Sequence, residues 1–303
     1  GNLPPELRRQ DAYGKPVIPV SATPRRWQVR ATVAVIALSV VATLSGLLRP
    51  GHYGAAGPEA VLLYRVQDAT ILLVGVPVLA AGLWYALRGS LRGCIVWLGG
   101  LAYATYMWAS VGLQVPYNEF FLGYVALFSL SLFAFVGGLV TTDPVPVRRA
   151  LEGRVSTSLY GGALVFIAVG LGILWLADLV PALLAGTTPR IVEEGGGGTL
   201  VTHLVDLGIV VPSLLLAGVW LRRGRTWGYL LAGVALVLGA VLAASISAMT
   251  VVLMTGERIT VSPATTVFTF LPVLVSTVLA VRYVASMGGH EREGAAGEAS
   301  GTA

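Results

Sequence analysis

Apolar positions in this chain come in long unbroken runs rather than in strict alternation. Residues 64–89, YRVQDATILLVGVPVLAAGLWYALRG, show the pattern: Arg65, Gln67 and Asp68 crowd one end, and nineteen residues without a charge follow, ending at Leu87. About 20 helical residues, rising 1.5 Å each, cross the hydrocarbon of a bilayer. Eight runs reach that length, near 29–48, 66–87, 94–113, 120–140, 159–184, 201–221, 227–253 and 264–286. The fifth and seventh are the longest and predict tilted spans. Open strands leave backbone groups unpaired in lipid, and no alternating barrel pattern is present. The pattern therefore predicts an all-α, polytopic membrane protein with eight transmembrane helices.

The breaks between runs carry turn chemistry: RPGHYGAAGP, RGSLRG, QVPYNE, TTDPVPVRRALEGR, TTPRIVEEGGGGT, RRGRT and TGERITVSP. Composition agrees with lipid as the solvent. Charged residues make up 12% of the chain, about half of the roughly 25% usual in soluble domains, and the mean hydropathy is +0.79. The +5 net charge is a matter of topology. With the N-terminus placed inside, Arg49, Arg65, Arg190 and Arg258 fall outside, and the other 16 of the 20 Lys and Arg residues fall inside. That asymmetry predicts both termini in the cytoplasm. No basic, aromatic-laced patch marks a nucleic-acid surface. Cys94 is the only cysteine, which excludes an intrachain disulfide and a Cys-rich metal site.

The domain organisation that follows is a cytoplasmic tail at 1–26, a first four-helix half at 27–157, a second at 158–287 and a second tail at 288–303. Both tails read as disordered, and GGGG at 195–198 reads as a flexible outer loop. Gly1 stands where an initiator Met would, as in a processed chain or a fragment. The first run is too long for a signal-peptide core and reads as a retained anchor.

The two halves resemble each other. AGLWYALRGSLRG at 81–93 matches AGVWLRRGRTWG at 217–228: Ala81, Gly82 and Trp84 answer Ala217, Gly218 and Trp220 at an offset of 136. Arg88 and Gly89 answer Arg223 and Gly224 at 135, and upstream Asp68 and Pro77 answer Asp206 and Pro212. Four spans separate the copies, so both enter the membrane in the same direction. A parallel repeat about an axis along the membrane normal is expected.

The candidate ligand-binding residues are Arg65, Gln67, Asp68, Asp178, His203 and Asp206. An ionised Asp in mid-span costs about 2.5–3.5 kcal/mol on insertion scales, so such a residue must face protein, water or a ligand. Arg65 with Asp68, and His203 with Asp206, are each spaced i, i+3 on one helical face. One reading is an outward-facing polar pocket between the halves. The other is local pairing that satisfies helix ends. A metal site lacks an HxxxH, HExxH or Cys-pair pattern, whereas a His beside buried carboxylates suits proton coupling. No cofactor motif, phosphate loop, dinucleotide fingerprint or Ser–His–Asp pattern is present, so no enzymatic activity is assigned. Pro77, Pro181, Pro212 and Pro272 interrupt spans and predict kinks. Tyr103, Tyr106, Trp108, Tyr117, Phe120, Phe121 and Tyr124 read as an interfacial aromatic belt. Asn118 and Glu119 read as a helix cap. Gly161, Gly162, Gly170, Gly172, Gly233 and Gly239 read as close helix contacts.

QDATILLVGVPVLAAGLWYALRGSLRG and YNEFFLGYVALFSLSLF resemble segments of uncharacterised multi-pass membrane proteins of high-GC bacteria. The resemblance covers most of spans 2 to 4, and it implies a multi-span helical fold without an assigned activity. Nineteen Arg against one Lys fits a high-GC origin. The function expected is binding or transport of a small solute or ion. The alternatives are a non-catalytic membrane subunit or assembly factor with a membrane-protein partner and, further off, an intramembrane enzyme. The lipid bilayer is a partner on every reading.

Overall fold

The computed structural model describes residues 23–189, 192, 200–256 and 262–288, with the side chains of 264, 265 and 268 excepted. The expected tails (apart from 23–26 and 288), the GGGG segment, Arg190 and Arg258 lie outside these residues. Every regular element among the described residues is helical: α1 Arg26–Leu48, α2 Pro58–Leu87, α3 Leu91–Gln114, α4 Phe121–Thr141, α5 Pro144–Leu151, α6 Thr157–Ala185, α7 Val201–Arg222, α8 Thr226–Thr255 and α9 Pro263–Ala285. Seven of them, α1 to α4 and α6 to α8, are long and apolar enough to cross a bilayer. This fits a multi-pass integral membrane protein in contact with lipid. In α9 the apolar stretch is shorter, Thr269–Ala285.

Local chemistry sets the helix starts. Ser90 Oγ accepts from Gly93 N at 3.3 Å, Asp143 Oδ1 from Val145 N at 3.0 Å and Ser156 Oγ from Leu159 N at 3.2 Å, each supplying an acceptor for an orphan helical N–H. The short α5 was not expected, because TTDPVPVRRALEGR reads as a turn. Its prolines sit where a helix tolerates them, at the first turn after an Asp cap. Val147, Ala150 and Leu151 are then fully buried, with α5 packed on α8.

α3 is the central helix. It is 78% buried over its most apolar window, against 11% for α6 at the periphery. Trp97 and Trp108 on α3 donate to Thr32 Oγ1 and Ser39 Oγ on α1, at 3.0 and 3.1 Å. Tyr103 meets Ser245 on α8 at 3.0 Å. The expected aromatic belt is corrected here. Tyr103, Trp108 and Tyr124 are core residues, 1–3% exposed, and Tyr117 at 82% is the strongly exposed one. Buried indole N–H and phenol groups need partners: Trp108 and Tyr103 find them on other helices, and Tyr124 finds His52 and Asn118 in the loops.

Two helical hairpins share their construction. α2 contains a π-helical turn at Ile71–Gly75, and α7 contains one at Asp206–Val210, 135 positions later. Pro77 and Pro212 follow them. A proline ring clashes with the carbonyl four residues back, and the widened turn accommodates it. The hairpins close at Gly89 and Gly224, with φ of 78° and 63°, a conformation that glycine adopts without strain. In the first hairpin a Cβ on Gly93 would strike Tyr85 and Ala86. In the second a Cβ on Gly228 would strike Trp220 and Leu221. All these pairs share the 135-residue offset, so the AGxW match at 136 is one residue out of register. Trp220 corresponds to Tyr85, and His203, not Asp206, corresponds to Asp68.

The glycine expectation holds in part. Gly161 and Gly218 face each other across α6 and α7, and Gly233 meets Ile95, but a Cβ on Gly170 or Gly239 would meet open space.

Candidate functional site

The end of the bundle opposite the Gly89 and Gly224 turns carries two buried polar clusters. The first gathers on the loop between α1 and α2. α2 starts at Pro58, about two turns before the expected boundary, so Arg65, Gln67 and Asp68 lie within the helix rather than at its mouth. Asp68 is 3% exposed and takes a hydrogen bond from the Tyr53 hydroxyl at 2.6 Å. Gly46 on α1 makes room for this pair, since a Cβ there would overlap the Asp68 carboxylate and the Tyr53 hydroxyl. His52 Nε2 bonds the Tyr124 hydroxyl at 2.9 Å, and Asn118 reaches the same hydroxyl at 3.4 Å. Burial pushes the His52 imidazole below its ordinary 6.5; Arg49 adds to that effect and Glu119 opposes it. Burial, then the Asp68 charge, pushes the Tyr53 phenol up. Arg49 and Glu119 form an ion pair above the cluster. Asn118 caps the start of α4 by accepting from Phe120 N at 2.9 Å, whereas Glu119 turns to Arg49.

The second cluster lies where α3, α6 and α7 meet. Asp206 opens the π-helical turn of α7 and is 5% exposed. Trp175 on α6 donates its Nε1–H to Asp206 Oδ2 at 2.9 Å. The Tyr106 hydroxyl on α3 faces the same carboxylate. His203, 4% exposed, lies against the Trp175 ring with centroids 4.1 Å apart. Asp178 on α6 is close enough to act electrostatically on His203. About two turns further along α3, Gln114 donates to Thr202 at 3.4 Å. A charge-assisted hydrogen bond such as Trp175 to Asp206 contributes about 1.5–3 kcal/mol, on the scale of the cost of placing Asp in the span.

Of the six expected residues, His203 and Asp206 come together here, with Asp178 within electrostatic reach of His203. Asp68 belongs to the first cluster, on the other side of α3: Tyr106 and Trp108 are about 200° apart around that helix, and Trp108 stacks on Tyr124 at 6.0 Å. Arg65 is exposed, Gln67 is buried beside Asp68, and the Asp68 carboxylate is bonded by Tyr53 rather than by Arg65. The i, i+3 pairs are thus outcompeted by aromatic donors from other elements. Sequence reasoning missed Trp175 and Tyr53, and it placed Tyr106 in the belt. Their only signal was a polar-tipped aromatic within helical reach of a buried acid.

A separate cavity of about 470 Å³ lies between α2, α3, α8 and α9. Its walls include Val74, Val96, Val237 and Ala280, with Arg92 at its rim, and none of the six expected residues.

No protein family matches the chain, and comparison with curated proteins and with solved structures finds no significant match.

Proposed function

We propose that the protein is an eight-span inner-membrane protein of a high-GC bacterium, with both termini in the cytoplasm, and that it binds or transports a small solute or ion through the α3–α6–α7 cluster. The observation that carries this reading is a carboxylate, Asp206, and an imidazole, His203, held almost fully buried inside a lipid-length helix at a π-helical turn. Intramembrane ionisable groups are costly and mark solute or proton sites, and π turns concentrate at functional positions.

α9 is 23 residues long, enough to serve as the eighth span. The 135-residue register of turns, prolines and glycines supports a parallel repeat, α1–α4 and α6–α9, with the central pair α3 and α8 packed against each other. The end bearing the polar clusters then faces outward, because the Gly89 and Gly224 turns carry Arg88, Arg92, Arg222, Arg223 and Arg225.

The test is stopped-flow light scattering of proteoliposomes challenged with urea, glycerol, ammonium chloride, sodium chloride and potassium chloride. Protein-dependent permeation of at least one solute, lost in Asp206→Asn, is expected. Equal traces from wild-type, Asp206→Asn and empty liposomes would refute the transport reading. A second reading, a membrane subunit, is favoured by α6, whose Phe166, Leu183 and Leu184 are 79–83% exposed. Crosslinking from Phe166 to a second protein in native membranes is its test.

A further inference from the structure

The first cluster joins a buried carboxylate to the end of the bundle opposite the Gly89 and Gly224 turns through a series of polar groups. Asp68, inside α2, accepts from the Tyr53 hydroxyl at 2.6 Å. The Tyr53 hydroxyl lies beside that of Tyr124 on α4, and the Tyr124 hydroxyl meets His52 Nε2 at 2.9 Å. Asn118 Nδ2 donates to the same hydroxyl at 3.4 Å. The Arg49–Glu119 pair, with side chains 58% and 60% exposed, acts electrostatically on His52. Among the described residues, the other groups that face the series are Arg65, which acts on Asp68 from its own helix, and the Tyr64 ring beside Tyr53. The charged residues of α1 and α3, Arg26, Arg30 and Arg92, sit at the opposite end of the bundle, and α8 carries none.

The acid fixes the direction of every link. An ionised carboxylate only accepts, so Tyr53 donates to Asp68. The Tyr53 oxygen is then the acceptor for the Tyr124 O–H. The Tyr124 oxygen, with two lone pairs, accepts from Asn118 and from His52 Nε2–H. His52 is thereby held in the Nε2–H tautomer, and its Nδ1 is left as a bare acceptor. Among the described residues, that nitrogen is enclosed and has no hydrogen-bond partner, on a residue 6% exposed. Buried polar atoms are rarely left in that state. Burial, with Arg49 adding to it, holds the imidazole below its ordinary 6.5. The ring is therefore neutral near pH 7, with Nδ1 able to take up a proton.

We propose that His52, Tyr124 and Tyr53 form a proton relay that loads Asp68 from this end of the bundle. A proton binds His52 Nδ1. The Nε2 proton passes to the Tyr124 oxygen, the Tyr124 proton to the Tyr53 oxygen, and the Tyr53 proton to Asp68 Oδ2. One proton has entered, and one carboxylate has become neutral. The imidazole ends neutral as the Nδ1–H tautomer, and each phenol still holds one proton. Every hydrogen bond of the series is kept, with its direction reversed. Acids and histidines arranged in chains relay protons inside membrane proteins. The relay uses none of the α3–α6–α7 residues, so it stands or falls apart from the solute site. On the topology proposed above it opens outward.

The experiment releases a caged proton by a laser flash in the detergent-purified chain and follows the carboxylic C=O stretch by time-resolved infrared spectroscopy. Wild-type protein is expected to gain a C=O band that Asp68→Asn lacks. Tyr53→Phe removes the hydrogen bond to the acid and should move that band to higher frequency, which identifies it even where Asp68→Asn does not fold. Tyr124→Phe keeps the ring stacked on Trp108 but breaks the series. It should slow the rise of the band by about 100-fold, the low end of what a positioned proton donor contributes, and leave its final size unchanged. His52→Gln should slow it likewise, and it decides if Tyr124→Phe does not fold. A purely structural hydrogen bond would change the band position or the Tm and leave the rate alone. Wild-type protein that melts cooperatively yet gains no C=O band sensitive to Asp68→Asn or Tyr53→Phe would overturn the proton site. A band that rises at the wild-type rate in Tyr124→Phe or His52→Gln would overturn the relay.

Discussion

At the scale of single residues, each buried acid is satisfied by an aromatic hydrogen-bond donor rather than by its helical neighbour. Trp175→Phe keeps the ring against His203 but removes the donor to Asp206. It should cost about 1.5–3 kcal/mol, measured as a lowered Tm, and Asp206→Asn in that background should recover part of the loss. Gly46 lies against Asp68 and Tyr53, so Gly46→Ala should lower stability by about 1–3 kcal/mol through overpacking. His52 gives a pH dependence of known sign. Its folded pKa lies below 6.5, so on acidification the unfolded chain takes up this proton first. The stability contribution is complete above pH 6.5 and is lost as pH falls below that value through the folded pKa. Melting curves from pH 8 to pH 5 should show a falling Tm, and His52→Gln, which keeps a hydrogen-bonding side chain without titrating in this range, should flatten the fall. An unchanged slope in His52→Gln would assign the pH dependence to other groups.

At the scale of elements, the helices were legible because lipid-length apolar runs have few alternative readings. The ends of those runs were less so. Hydropathy places the start of α2 near residue 66, whereas the helix begins at Pro58, because a proline at the first helical position starts a helix as readily as it ends one. The same ambiguity hid α5. The π-helical turns left only the trace of Pro77 and Pro212, since a proline in a span signals a disturbance without stating its form. Asp206 and His203 were legible as costly residues. Their partners were not, because Trp175 lies 31 positions from Asp206 and nothing local links the two. The hairpin register gives a prediction at this scale. Gly93→Ala and Gly228→Ala should each lose about 1–3 kcal/mol by pushing the paired helices apart. Gly170→Ala, with open space around it, should be neutral or gain up to about 1 kcal/mol of helix propensity. Comparable losses at all three positions would contradict the packing assignment.

At the scale of the whole molecule, α3 is the structural axis. α1, α2 and α4 pack on it or around it on one side, and α8 joins it to the helices of the other. α1 and α4 are tied at both ends, by Gln28 to Thr141 at 2.9 Å and, from the loop after α1, by His52 to Tyr124 at 2.9 Å. α6 and α9 meet through Tyr160 against Tyr283, with ring centroids 5.0 Å apart at the end bearing the Gly224 turn. The account joins this architecture to an outward-facing solute site beside α3. The most direct measurement is cysteine accessibility in intact cells, in a Cys94→Ala background, using a small membrane-impermeant thiol reagent on Thr202→Cys and, separately, on Gly224→Cys. The account predicts that Thr202→Cys is labelled from outside and that Gly224→Cys is labelled only after the cells are permeabilised. Labelling of Gly224→Cys in intact cells, or a Thr202→Cys that reacts only in denatured protein, would contradict it.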